Sequence, residues 1–252
     1  EYRSPFQRDY DRIVFTTAFR RLQDKTQVFQ LSSSDYVRTR LTHSIEVSCV
    51  ARNLGVVVGR MLRKRRDNLG HISSSDIGNI VAAAALAHDL GNPPFGHSGE
   101  AAIQHWFRAS KIAAQFRERL SDEQTLEFKY YEGNAHAFRL VTRLLTPTNE
   151  GGLELTYATL ATLLKYPIRA HEPSDQLKGK VSAKKFNFFE RERAAFDEVV
   201  KKVGLIRRSS DLNWWCRHPL CFVCEAADDI TNRIVDLEDG FRLGCIESSE
   251  AR

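Results

Sequence analysis

The stretch AAAALAHDLGNPPFGHSGE, residues 82–100, decides how this chain is read. It continues a nearly all-apolar run over 76–90, and a helix apolar all round is one buried on most of its sides. Gly91 ends that helix, and Pro93-Pro94 prevents its continuation. Ser98 is placed to cap a following helix through Ala101, Ala102, Ile103, Trp106 and Phe107. His88 and Asp89 close the buried helix, where polar side chains are unwelcome. A buried carboxylate without a partner is costly, so Asp89 is expected to be paired or to ligate a metal. The dipeptide alone admits either.

Working outward, helical spacing of apolar residues recurs. It covers 9–24 (Ile13, Val14, Ala18, Phe19, Leu22) and 41–62 (Leu41, Ile45, Val47, Val50, Leu54, Val57, Val58, Leu62). Further helices are expected at 134–145, 154–165, 187–203 and 218–238. Only Lys25–Gln30 reads as extended. Residues 171–186, polar with Pro and Gly, read as a flexible loop within one domain spanning 1–252. The fold class expected is all-α.

Hydrophobic residues make up 42% and charged residues 27% of the 252, the balance of an ordinary soluble protein. No window approaches eighteen uncharged apolar residues, so no membrane helix is expected. The N-terminal EYRSPFQRDYDR lacks the apolar core of a secretion signal. Five scattered cysteines suggest reduced thiols and a cytoplasmic location. The net charge of +5 suits an anionic substrate or partner. RMLRKRR at 60–66 reads as a solvated helix end or as a patch for nucleic acid or nucleotide phosphate.

Chemistry-bearing residues gather on several of these helices. His43 lies midway along one, in VRTRLTHSIEV, and Asp228 and Asp229 lie on another, in CEAADDITNRIVDLEDG. With His88 and Asp89 they make a natural set for a divalent ion in an all-helical core. His97 and Glu100, three apart, can share one helix face and work as an acid–base pair. Cys216, His218, Cys221 and Cys224 in CRHPLCFVC have spacing near that of a zinc knuckle. Cys221 and Cys224 are better read as core residues.

Six segments together resemble the HD-domain deoxynucleoside triphosphate triphosphohydrolases, bacterial dGTPases in particular. They are RDYDRIVFTTAFRRLQDKTQVF (8–29), RTRLTHSIEV (38–47), LAHDLGNPPFGHSGEAAI (86–103), YEGNAHAFRLVTRLL (131–145), TLLKYP (162–167) and RHPLCFVCEAADDITNRIVDLEDG (217–240). The resemblance implies an HD-domain helical bundle with a metal site at its centre. It implies one divalent ion, Mn or Mg favoured over Fe, Co or Ni, ligated by His43, His88, Asp89 and Asp228, with Asp229 in support. It makes His97 the catalytic acid–base and Glu100 its orienting partner. Arg40 is implied to bind phosphate, Lys165 and Tyr166 phosphate and sugar, Gln27 the 3′-hydroxyl, and Asp236 the sugar side. Glu132 and Asn134 fall in a motif near the site.

The implied reaction is hydrolysis of a deoxynucleoside triphosphate, dGTP favoured, to deoxynucleoside and inorganic triphosphate. The implied assembly is a homo-oligomer, with single-stranded nucleic acid or a nucleotide as effector. An HD-type phosphodiesterase or nucleotidase, or a nucleic-acid or nucleotide sensor, are the alternatives. Two positions depart from the pattern: Asn232 stands where relatives carry an aromatic residue, and His136 where glutamine is expected. Family members usually continue past DLEDG, so the family's C-terminal helices are expected to be absent here, by truncation or because the chain belongs to a shorter branch.

Overall fold

A computed structural model of the chain describes residues 2–28, 36–65, 69–146, 148, 152–209 and 211–246. Its first helix, α1 (Pro5–Val14), starts at a capping box: the Ser4 hydroxyl accepts the Gln7 N–H while the Gln7 side chain accepts the Ser4 N–H. The single helix expected over 9–24 is interrupted. Thr16 breaks it, its hydroxyl oxygen accepting the Phe19 N–H at 3.1 Å and starting α2 (Thr17–Arg20), which tightens into a 3-10 turn over Arg21–Asp24. The apolar spacing still serves the core, for Ile13, Phe19 and Leu22 are all buried.

The long α3 (Arg40–Arg65) packs along α4 (Ser74–Ala87), which opens on a Ser73–Asp76 capping box. Close approach is possible because glycines face each other: a Cβ on Gly55 would stand 2.8 Å from the Gly78 Cα. Residues Ala82 to Ala87 of α4 have no exposed surface, so the buried helix read from the sequence is central in fact. Helix α4 ends at Ala87, before the expected Leu90, with His88 as its C-cap. Arg60 to Arg65 are the exposed last turns of α3, where cations complement the helix dipole, and Arg66 lies outside the described residues.

Next comes α5 (Gly96–Ala109). Ser98 is not its cap: the helix begins two residues earlier, after Phe95, whose left-handed backbone (φ 65°) makes the turn. Then follow α6 (Lys111–Arg117) and α7 (Asp122–Lys129), which apolar spacing did not reveal, and α8 (Gly133–Arg139), extended by a π turn over Leu140–Leu144. Helix α9 (Tyr157–Leu163) is shorter than expected, because Thr156 caps it. The buried Asp9 of α1 accepts the Thr156 N–H at 3.0 Å and its hydroxyl at 2.6 Å, tying the two helices together.

Residues 171–186 carry two 3-10 turns and insert Leu177, Ala183 and Phe186 into a core layer with Ile168 and Trp214. Helix α10 (Arg193–Val203) begins later than the expected residue 187, after a 3-10 turn at Glu190–Glu192. Strands β1 (Arg207–Ser209) and β2 (Trp214–Trp215) form a small antiparallel ribbon that the sequence did not disclose. The extended reading at 25–30 reduces to one bridge between Thr26 and Thr39, with Phe29 and Gln30 outside the described residues.

Helix α11 (Pro219–Arg242) closes the bundle against α3, α4 and α9. His218 is its N-cap, accepting the Leu220 N–H at Nδ1, and Cys221 and Cys224 are buried. That is the core role expected of CRHPLCFVC. No described helix is long and apolar enough to cross a membrane.

Candidate metal and phosphate site

Three helices converge where α4 stops. Helix α3 brings Arg40 and His43 in its first turns, His88 and Asp89 directly follow the end of α4, and α11 presents Asp228 from its middle. His88 Nδ1 lies 2.6 Å from the Ala85 carbonyl oxygen in its own last turn. Donating there fixes the tautomer and leaves the Nε2 lone pair facing the cavity. Nε2 stands 3.8 Å from Asp228 Oδ1, and His43 Nε2 stands 3.2 Å from the same oxygen.

His43 is 1% exposed, yet neither ring nitrogen has a well-aligned hydrogen-bond partner. A buried polar group left so costs about 1–3 kcal/mol. One ligand atom from each of His43, His88 and Asp228 lies within 4.8 Å of the others. Two imidazole nitrogens and a carboxylate around one point, with an orphaned histidine among them, fit a divalent cation. Burial opposes ionisation of Asp228, but the contact with His43 and the charges of His88 and Lys165 outweigh it and hold the carboxyl well below the usual range. Asn232 Nδ2 donates to the same oxygen at 2.9 Å, so this side chain helps to orient Asp228.

Asp89 is placed differently from the other three. Its Oδ2 accepts Arg40 Nη1 at 2.7 Å, and its Oδ1 accepts Asn92 Nδ2 at 2.5 Å and lies 3.5 Å from His88 Nε2. It stands beside the compact trio with both oxygens engaged. Arg40, anchored on Asp89, keeps a buried Nε without a partner. Asp229 points away, exposed on the outer face of α11, so no supporting contact to the site is seen for it.

A cavity of about 370 Å³ opens over this cluster. Every residue expected to ligate metal, bind substrate or catalyse lines it: Gln27, Arg40, His43, His88, Asp89, His97, Glu100, Lys165, Tyr166, Asp228 and Asp236. The Gln27 Oε1 is buried without a partner. Lys165 Nζ lies 3.4 Å from Glu225 Oε1. Burial disfavours its charge, but Tyr166, Glu225 and Asp228 more than offset this and keep its pKa above the ordinary amine value. Tyr166 is buried, its backbone N–H held by Asn187 Oδ1 at 2.9 Å. Asp236 is paired with the buried Arg38, which also binds Glu46 and Asp239.

The expected His97–Glu100 contact is replaced by others. His97 is exposed at the cavity, whereas Glu100 is buried. Glu100 Oε1 accepts the Gly133 N–H at 2.8 Å, and Oε2 faces Lys185 Nζ at 3.2 Å. Residue 133 must be glycine for this: a Cβ there would stand 2.4 Å from Asn92 Oδ1 and 2.8 Å from Glu100 Oε1. Lys185 also lies 2.9 Å from Oε2 of the buried Glu132, which in turn accepts Asn134 Nδ2 at 2.6 Å. His136 is half-buried beside Tyr131, a packing role.

A model of the HD domain family matches residues 40–150, the span that carries His43, His88 and Asp89. The chain belongs to the HD-domain family. The HD-domain chain is 52% identical over 249 residues to a deoxyguanosinetriphosphate triphosphohydrolase-like protein of Synechocystis sp., covering 96% of the chain and 56% of that relative. It is 45% identical over 248 residues to a protein of the same description from Pseudomonas aeruginosa, covering 98% and 54%. A deoxyguanosinetriphosphate triphosphohydrolase of Serratia proteamaculans is 38% identical over 261 residues, covering 93% and 49%. The chain spans about half the length of the curated relatives it matches.

Three residues of this HD site escaped the sequence reading. Asn92 was in view inside the stretch 82–100, and its place after the helix end was the available signal. Glu225 shares a face of α11 with Asp228, three residues on. Lys185 sits in a segment without periodicity, and nothing local announces it.

Proposed function

We propose that the protein hydrolyses a deoxynucleoside triphosphate, dGTP favoured, to deoxynucleoside and inorganic triphosphate, using a divalent cation held by His43, His88 and Asp228 with Asp89 beside them. The observation that carries this reading is one cavity that holds the ligand trio, the cations Arg40, Lys165 and Lys185, and an exposed histidine. The nucleotide class is that of the relatives' descriptions. Free cysteines, among them the buried Cys221 and Cys224, support a reducing compartment such as the cytoplasm.

A cation bound there would supply Lewis-acid polarisation of a phosphoryl oxygen, with Mn or Mg favoured. The rest falls to the side chains. A triphosphate brings about four negative charges, and Arg40, at the start of α3, and Lys165, just after α9, answer them. Gln27 and Asp236, which line the same cavity, are the residues assigned to the sugar. The departing 5′-oxygen is a poor leaving group, and His97, exposed at the cavity and able to turn, donates the proton it needs. Glu100 acts through the walls: pinned by Gly133 and Lys185, it fixes the first turn of the helix that carries His97.

The test is incubation with each of the four dNTPs and Mn²⁺, followed by chromatography of the products. Deoxynucleoside and inorganic triphosphate support the reading. Monophosphate or pyrophosphate points instead to a phosphodiesterase or nucleotidase.

A further inference from the structure

A second cavity, of about 960 Å³, adjoins the first. Lys185 lines both, so a single side chain forms part of the wall between them. The outer wall is the segment 171–186. Packing sets its shape: Leu177, Ala183 and Phe186 are buried, and they alternate with exposed Lys178, Lys180 and Lys184, which line the cavity. His171 closes the segment on itself, its ring nitrogens 2.9 Å from the Glu172 carbonyl oxygen and 3.1 Å from that of Ala183.

The charge on this wall is unbalanced. None of Lys178, Lys180 and Lys184 pairs with a carboxylate among the described residues. The acidic side chains lining the cavity are Asp175 and Glu132, and Glu132 is already taken by Lys185 at 2.9 Å. Three ammonium groups around a concavity focus a positive potential and concentrate anions. A ligand that carries several negative charges along its length offers each of the three ammonium groups a partner, which a single carboxylate does not.

The geometry points to a polyphosphate-binding site in this cavity, formed by Lys178, Lys180 and Lys184 and separate from the catalytic one. It takes inorganic triphosphate or the triphosphate tail of a nucleotide. The site stands on the cavity and its charge, not on the hydrolase reading.

Inorganic triphosphate titrated calorimetrically into the full chain, at low salt and with EDTA, tests it. The chain is compared with a Lys178→Ala/Lys180→Ala/Lys184→Ala variant and with a Lys201→Ala/Lys202→Ala control on α10. The unaltered chain and the control are expected to bind one more triphosphate per chain than the triple variant. Equal stoichiometry in all three, or the same loss in the control, overturns the site. Repeating the titration with ATP separates the two sources. Equal affinity assigns the site to the phosphate chain alone, and tighter ATP binding adds the nucleoside; a triple variant that binds ATP like the unaltered chain overturns it. Thermal melting checks that each variant is folded. Turnover of dNTPs is a separate readout, so loss of the hydrolase reading would leave this result intact.

Discussion

His43 Nε2 faces Asp228 Oδ1 across 3.2 Å, one residue from α3 and the other from α11, without the alignment of a hydrogen bond. Two helices far apart in sequence thus meet at a point where neither side chain satisfies the other. The proposed shared cation would account for this arrangement, and metal content would then bear on stability as well as on turnover.

Adding Mn²⁺ should therefore raise the melting temperature, and EDTA should reverse it. A ligand at one hundred times its dissociation constant stabilises by about 2.7 kcal/mol. Asp228→Asn should abolish both the bound metal, read by elemental analysis, and the Mn²⁺-dependent shift. Full occupancy in that variant would remove Asp228 from the ligand set.

His97→Ala should keep cation and nucleotide binding while turnover falls roughly a hundred- to ten-thousand-fold, the usual worth of a positioned acid. Because His97 is exposed, little stability should be lost. Turnover close to that of the unaltered chain would take His97 out of the chemistry.

Lys185→Met should cost about 3 kcal/mol in urea unfolding, since it leaves the buried Glu100 and Glu132 without their shared cation. Adding Glu132→Gln to it should recover part of that loss by removing one of the two charges. Additive losses in the double variant would show that the lysine does not serve Glu132.

Glu127 is pushed up to about 7, chiefly by burial, with Glu192 and Glu190 adding to it against the Glu190 N–H that bonds the carboxylate. The folded chain keeps this proton up to about 7, while the unfolded chain releases it near 4.5, the ordinary glutamate value. Between those values the unfolded state gains from rising pH, so this group's contribution to stability falls there. Above the folded value the loss is complete, at about 3 kcal/mol. Glu127→Gln should flatten denaturation stability across that window and make the protein more stable at pH 8. An unchanged slope would refute the assignment.

Much of this was legible in the sequence, and the reason is physical. An apolar run that ends in His-Asp leaves few options, so the central helix and its chemical end could be read locally from residues 82–90. His43 and Asp228 could be placed on helices by periodicity, and the resemblance then named the set. Short elements were harder. Thr16 splits a run whose apolar spacing is continuous, and Phe95 starts α5 through a left-handed backbone that Ser98 disguised. Helix α6 is only seven residues long, too short to show a period, and α7 carries polar residues on most sides, which erases the pattern. The contacts of Lys185 with Glu100 and Glu132 depend on a tertiary fold of 171–186, where polarity and Pro and Gly hid the buried Leu177, Ser182, Ala183 and Phe186.

Hydrolysis of dGTP in H₂¹⁸O with Mn²⁺, followed by mass spectrometry of both products, tests the central claim most directly. The account predicts inorganic triphosphate carrying one ¹⁸O on a terminal phosphate, an equal amount of unlabelled deoxyguanosine, and neither product from Asp228→Asn. Release of dGMP and pyrophosphate, or label in the deoxynucleoside, would contradict it.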